Sequence, residues 1–121
     1  MPDTKTDFRG GTAAATSTGA VQLFSEPTGR GRTKAQTFIS RDTVVIVIRD
    51  SLTRGERNLV AAGEVNTVLK SRRRFQETMR EQLVALVETN LQRKVTAFLS
   101  DDHLDPEIAV EYFALEPVEA S

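Results

Sequence analysis

The segment Thr43–Arg49 reads TVVIVIR and is the strongest strand signal in the chain. β-branched side chains are restricted in helices and pack well on a pleated surface. Because apolar residues occupy both alternating sets of positions, the pattern predicts a central strand that is buried on both faces. The preceding segment Lys34–Ser40 predicts a second strand. Between them, the polar pair Arg41 and Asp42 predicts the turn of a hairpin.

Two helices are predicted after this hairpin. Thr53 and Glu56 have the spacing of a capping box, which begins a short helix that ends at Gly63. A long helix is predicted from Val65 to about Lys94, because apolar residues recur there with helical spacing and no Pro or Gly interrupts them. Its apolar face comprises Val68, Phe75, Met79, Leu83, Leu86 or Val87, and Leu91.

The segments Val95–Ser100 and Ile108–Leu115 predict two further strands, with a turn over residues 101–106. The sequence therefore predicts an α+β fold: a four-stranded antiparallel sheet in the order ββααββ, with a short and a long helix packed on one face. The segments Phe38–Asp42 and Phe98–Asp102 are similar. Hairpins related by a pseudo-twofold axis and a chance similarity of turn composition both remain open.

The ends of the chain are predicted to differ from its centre. Residues 1–20 are rich in Thr, Ala, Gly and Ser and predict a disordered N-terminal tail, because they offer little apolar surface to offset the entropy of ordering. Pro27 is expected to break any helix that precedes it. Residues 21–118 are predicted to form a single α+β domain, and residues 119–121 a C-terminal tail.

Composition argues against several classes of protein. The net charge of −1 argues against a nucleic-acid-binding protein. The absence of cysteine excludes disulfides, thiolate catalysis and cysteine-ligated metals. The longest apolar run, Val44–Ile48, is far shorter than the ~20 residues of a membrane span, and residues 1–8 lack the apolar segment of a secretory signal. We therefore expect a soluble, cytoplasmic protein without direct membrane insertion.

A glycine-rich loop before the first strand is a candidate anion-binding site, because glycines expose backbone N–H groups and the cationic side chains add charge. The loop lacks the spacing and the following helix of a P-loop. The alternative is that the glycines only provide the turn into the strand. The candidate residues are Gly29, Arg30, Gly31, Arg32 and Lys34.

The predicted turn after the third strand is a candidate cation-binding site, since several carboxylates in one loop suit a hard cation. The segment lacks the EF-hand pattern, and the alternative is that the aspartates cap the turn itself. The single histidine has no partners for a zinc site and no nucleophile beside it. We therefore assign no catalytic residue, metal or cofactor, and expect no enzyme activity. The candidate residues are Asp101, Asp102, His103 and Asp105.

The long helix carries basic residues that could bind a protein partner. The alternative is a solvated face paired with Glu77 and Glu81. About thirty residues of helix reach ~45 Å, longer than a seven-residue strand of ~23 Å. Part of the apolar stripe is therefore expected to overhang the sheet and to be covered in a homodimer, unless the helix is kinked or shorter. The candidate partner-binding residues are Arg72, Arg73, Arg74 and Arg80.

Several short motifs between Gly29 and Pro117 carry a resemblance to a known family. They are Gly29-Arg30-Gly31 with Thr33-Lys34-Ala35, Asp42-Thr43-Val44-Val45, Leu52-Thr53 with Glu56 and Leu59, Arg73, Phe75, Gln76 and Arg80, the run Val95–Asp101, Asp105-Pro106, Ala109-Val110-Glu111 and Leu115-Glu116-Pro117. With these motifs the chain resembles the MpsC-like family of bacterial proteins, described as a Na+-translocating membrane potential-generating system.

The resemblance implies a soluble accessory of a cation-linked membrane transport or energising system, and it implies no catalytic mechanism. Family members place an amphipathic helix before the glycine loop and often a Pro after the second glycine. In this chain we expect Pro27 to reduce that helix to a stub, and Arg32 stands at the Pro position.

The function that we expect is a non-catalytic binding or assembly module, homodimeric, with a membrane transport protein as a possible partner. The alternative is a sensor that binds a small ligand or ion at the glycine loop or the aspartate turn. An enzyme that uses His103 and a nucleic-acid-binding protein rank below both.

Overall fold

The computed structural model of the chain describes residues 2–25 and 33–118, with side chains from residues 11–24 and 33–118. The predicted α+β class and the ββααββ order are confirmed, and a further helix precedes them. The elements in chain order are α1 (Pro2–Ser25), β1 (Lys34–Ser40), β2 (Thr43–Arg49), α2 (Arg54–Ala61), α3 (Val65–Leu91), β3 (Val95–Leu104) and β4 (Glu107–Leu115). The tail predicted for residues 119–121 lies outside the described residues.

The strands form an antiparallel sheet in the order β1-β2-β4-β3. β2 is central, as its composition predicts. Its alternation decides which side chains meet the helices: Val44, Ile46 and Ile48 are buried, whereas Val45 and Val47 on the opposite side are only half-buried. The prediction that both faces of β2 are buried is therefore wrong within one subunit. We call the helix-packed side of the sheet the covered face and the other side the open face.

The hydrophobic core lies between the covered face and the two long helices, α1 and α3. Its largest fully buried apolar side chains are Phe113, Ile46, Ile48 and Leu83. The ring of Phe113 packs against that of Phe98 with centroids 5.0 Å apart. Each such side chain stabilises the fold by roughly 1.5–3 kcal/mol when it leaves water.

Helix α1 occupies the segment for which the sequence predicts a disordered tail and a helix reduced to a stub. It has 24 residues. Its small side chains allow close packing rather than supply large apolar area: Thr16 and Ala20 are fully buried. A Cβ atom added at Gly19 would lie 2.4 Å from Leu86 Cδ1 on α3. The composition that suggested disorder therefore fits a helix that packs closely against α3 and β1.

Both ends of α2 and the start of α3 follow the sequence predictions, whereas α3 ends before the predicted end at about Lys94. The capping box is confirmed, since Glu56 N donates to Thr53 Oγ1 over 3.0 Å and Thr53 N donates to Glu56 Oε1 over 2.9 Å. Gly63 follows α2 with a φ of 87°, a left-handed conformation that favours glycine. Helix α3 ends at Leu91, and the next residue, Gln92, also adopts a left-handed conformation, with a φ of 56°.

The apolar stripe of α3 is covered within one subunit. Val68, Met79, Leu83 and Val87 are buried, as predicted. All of α3 is described, and Val65 in its first turn is its single exposed large apolar residue. The expectation that this stripe overhangs the sheet and requires a second subunit is therefore wrong.

Strand β3 is longer than predicted, because it continues through residues 101–104. Only Asp105 and Pro106 form the turn into β4. The similar segments Phe38–Asp42 and Phe98–Asp102 are not structurally equivalent. Phe38 lies on the open face and is 50% exposed, whereas Phe98 is buried on the covered face. Among the described helices, none is long and apolar enough to cross a membrane.

Candidate functional site

The open face of the sheet carries a continuous row of apolar side chains. The strand registers pair Phe38 with Val45, Val45 with Tyr112, and Tyr112 with Leu99, so the row crosses all four strands. Its ends are the most exposed, with Phe38 at 50% and Leu99 at 65%. We call these four residues the apolar row.

The neighbouring row on the open face continues the apolar surface at its centre and becomes polar at its edges. Val47 and Val110 lie on the central strands, flanked by Gln36 on β1 and Asp101 on β3. Val110 is 37% exposed. An apolar centre with a polar rim is the usual anatomy of a protein–protein interface.

The covered face contains a group of polar side chains between the sheet and the helices, which we call the interior cluster. Arg72 on α3 is only 4% exposed and lies at its centre. Its Nη2 donates to Ser51 Oγ over 2.8 Å, its Nη1 lies 3.6 Å from Glu56 Oε1, and its Nε lies 3.7 Å from Asp102 Oδ1. The members of the interior cluster are Ser51, Glu56, Arg72, Gln76, Ser100, Asp102 and Glu111.

Asp102 connects β3 to α3. Its Oδ2 accepts a hydrogen bond of 2.6 Å from Gln76 Nε2, and its Oδ1 faces the guanidinium of Arg72. Burial raises the pKa of Asp102, and the positive charge of Arg72 opposes that rise. The strand and the helix are therefore joined by a carboxylate with two partners on α3.

Glu111 is the most isolated member of the interior cluster. It lies at the centre of β4 and is fully buried. Neither of its carboxylate oxygens accepts a hydrogen bond from the described part of the chain, and the hydroxyl of Ser100, its partner on β3, is also unpaired there. Burial raises the pKa of Glu111 to about 8. The Ser100 hydroxyl lowers that pKa to a smaller extent, although it does not reach hydrogen-bond geometry in this conformation.

The predicted anion-binding loop falls largely outside the described residues, which exclude Gly29, Arg30, Gly31 and Arg32. Lys34 is described and is exposed at the start of β1. Lys34 lies in the same cross-strand row as Arg49, its partner on β2. The loop's capacity for anions remains a prediction.

The predicted cation-binding residues are not brought together. Asp101 and Asp102 are consecutive strand residues, so Asp101 is exposed on the open face while Asp102 points into the interior cluster. The Nδ1 atom of His103 lies 2.9 Å from the carbonyl oxygen of Pro106, and Asp105 is exposed in the turn. Within the described ranges, no three acidic or histidine side chains form a group that could hold a metal ion.

The four arginines predicted to bind a partner lie on different sides of α3. Arg72 points inward, whereas Arg73, Arg74 and Arg80 are exposed. Arg73 and Arg80 line one shallow depression between α3 and β3, and the Arg80 guanidinium lies 5.1 Å from the centroid of the Phe98 ring. Arg72 therefore belongs to the interior cluster rather than to a partner-binding surface.

The sequence interpretation missed Glu111, Arg72 and Gln76 as interior residues, although their positions contain the signal. Arg72 follows Val68 by four residues and Gln76 follows Arg72 by four, so both lie on the apolar stripe of α3. Glu111 has the same parity as Phe113 along β4, which places both on the covered face. The signal was a charged or amide residue at a position where the helical or strand spacing predicts a buried side chain.

No curated protein and no solved structure matches the chain significantly. A family model matches residues 9–117, which include α3, the whole sheet and all but the first turns of α1. The chain therefore belongs to the family described as Na+-translocating membrane potential-generating system (MpsC).

Proposed function

We propose that this protein is a non-catalytic assembly module of a membrane-potential-generating system, and that it acts in the cytoplasm as a homodimer joined through the open faces of two sheets. The family description supports the link to a membrane potential system. The observation that carries the dimer is the apolar row, whose ends Phe38 and Leu99 are half or more exposed in one subunit. Contiguous exposed apolar surface of this kind marks interaction sites.

A second copy of the chain is the occupant that fits this face best. A twofold axis that runs parallel to the strands, between the two sheets, places β1 of one copy opposite β3 of the other. It likewise places β2 of one copy opposite β4 of the other. Phe38 of one copy then faces Leu99 of the other, and Val45 faces Tyr112, so every member of the apolar row meets an apolar side chain. The same axis makes Gln36 of one copy face Asp101 of the other at the rim, and Lys34 lies one cross-strand row further along.

The size of the face sets the expected strength of the dimer. Four strands spaced ~4.8 Å apart and seven to ten residues long at ~3.3 Å per residue give a projected area of roughly 500 Å² per subunit. Standard stable interfaces bury about 800 Å² of accessible surface per partner. We therefore expect a reversible dimer whose population depends on protein concentration.

The test is sedimentation equilibrium over micromolar to millimolar protein. The native chain should dimerise with rising concentration, and Leu99→Asp should remain monomeric because it places a charge in the apolar row. Leu59→Asp is the matched control, since Leu59 is an exposed apolar residue on α2, outside the open face. A native chain that is monomeric throughout, or a Leu99→Asp variant that dimerises as the native chain does, contradicts the dimer.

A cellular measurement tests the link to membrane potential. In cells that depend on this protein, a potential-sensitive dye should report loss of potential generation with Leu99→Asp and normal generation with Leu59→Asp. Equal activity of both variants would show that the open face is not needed for the function. A sensor that binds a cation at the aspartate turn has less support, because Asp101 and Asp102 point to opposite faces of the sheet.

A further inference from the structure

Glu111 lies in the middle of the covered face, where two of the other three strands offer its side chain no hydrogen-bond partner. Its cross-strand row contains Thr37 on β1, Ile46 on β2 and Ser100 on β3. Thr37 is already hydrogen-bonded to Ser17 of α1 over 2.7 Å, and Ile46 is apolar. Ser100 is therefore the one polar side chain of the row that is left for Glu111.

The charges around Glu111 leave no cation to neutralise it. Helix α3 contributes Arg72 and β3 contributes Asp102, and Glu56 of α2 faces Arg72. The described side chains of α1 and the covered-face residues of β1 and β2 carry no charge. Arg72 already faces two carboxylates, so an ionised Glu111 would be a third negative charge beside one positive charge.

The unpaired atoms also favour the neutral acid. An ionised carboxylate removed from water without donors is far less stable than the neutral form. A protonated carboxyl brings its own donor and needs an acceptor, and the hydroxyl oxygen of Ser100 can accept. The described residues therefore form a site that suits –COOH better than –COO⁻ at Glu111.

We infer that Glu111 is a proton-binding site built into the covered face, occupied at neutral pH, and that release of its proton weakens the packing of α3 on the sheet. Asp102 transmits the effect, because its charge acts on Glu111 from the adjacent strand and its carboxylate is held by Arg72 and Gln76 of α3. A new negative charge beside Asp102 repels the carboxylate that joins the strand to the helix.

The pKa of Glu111 supports this inference and sets the pH range. Burial raises it to about 8, the charge of Asp102 adds to the rise, and Ser100 and Arg72 oppose it. In the unfolded chain the ordinary pKa of 4.5 applies. The folded state therefore binds more protons than the unfolded state between these values, so stability is full below pH 4.5 and is lost as pH rises to about 8.

Infrared difference spectroscopy on the full chain reads the proton directly. At pH 7 we expect a carbonyl band of a protonated carboxylic acid that titrates with a midpoint of about pH 8 and is missing from Glu111→Gln. Absence of the band at pH 7 overturns the inference. A band that persists in Glu111→Gln and disappears in Asp102→Asn also overturns it, because the proton would then belong to Asp102.

Urea unfolding between pH 5 and pH 9 measures how loss of the Glu111 proton changes the stability of the fold. The midpoint urea concentration of the native chain should fall across this range, and that of Glu111→Gln should fall much less. Glu116→Gln is the matched control and should follow the native chain, because Glu116 is exposed just after β4. Equal slopes for the native chain and Glu111→Gln overturn the inference, and the infrared measurement on the native chain decides it if the variant does not fold.

Discussion

Each face of the sheet departs at one place from the usual distribution of residues. On the covered face, β4 places the carboxyl group of Glu111 in the interior. On the open face, the same strand presents Val110 and Tyr112 to the outside. A sheet with helices on one side normally shows apolar residues inside and polar residues outside. Residues that break such a rule are concentrated at functional sites, which is why the two proposals lie on opposite sides of one strand.

The largest expected difference between the faces comes from adjacent aromatic residues of β4. Phe113→Ala should lower the free energy of unfolding by about 3–5 kcal/mol, because Phe113 is fully buried in the core. Tyr112→Ala should lower it by only about 1 kcal/mol, since its ring is half-buried on the open face. Urea unfolding at low protein concentration, where monomers dominate, measures both, and equal losses would show that the open face is as well packed as the covered face.

A second comparison separates the interior cluster from the helix surface. Arg72→Ala should lower the free energy of unfolding by about 3 kcal/mol, because it leaves Glu56 and Asp102 without their shared cation. Arg73→Ala should change the free energy of unfolding by less than about 0.5 kcal/mol, since the side chain of Arg73 is exposed. The measurement is again equilibrium unfolding. A loss at Arg73 that equals the loss at Arg72 would contradict the inward placement of Arg72.

The smallest effect concerns how α1 closes the covered face. Gly19→Leu should destabilise the protein by about 1–2 kcal/mol, because the new side chain would displace Leu86 of α3. Gly11→Leu in the same helix is the control: a Cβ there has no neighbour within 4 Å, and the better helix propensity should add about 0.8 kcal/mol of stability. Thermal unfolding followed by circular dichroism measures both variants. A stabilising Gly19→Leu would show that α1 does not approach α3 closely.

The sequence predicted correctly those elements whose signal lies within a few consecutive residues. The bounds of β1 and β2 agree with the sequence prediction, and the capping box places the start of α2 correctly. Runs of β-branched residues and cap chemistry are encoded within a few residues, so no tertiary information is needed.

The sequence predictions were wrong where contacts with a distant part of the chain decide the secondary structure. Helix α1 is stabilised by packing on α3 and β1 through Thr16, Ala20 and Phe24, and composition does not reveal these contacts. Asp101 and Asp102 are turn formers by propensity, yet they continue β3 because Asp102 has partners on α3.

The apolar residues on both sides of β2 predicted that both of its faces are buried. The sequence alone does not indicate whether helices of the same chain or another subunit would cover the second face. The candidate site was the least predictable part for a similar reason. Glu111 belongs to the buried set by parity alone, and its lack of a partner emerges only from the folded arrangement of Ser100, Asp102 and Arg72.

The alternation along β4 restricts how this strand can change in length. Inserting or deleting one residue before Glu111 would move Glu111 to the open face and Tyr112 to the covered face. The proton site and the dimer face would then be lost together. We expect functional length variants of β4 to differ by even numbers of residues.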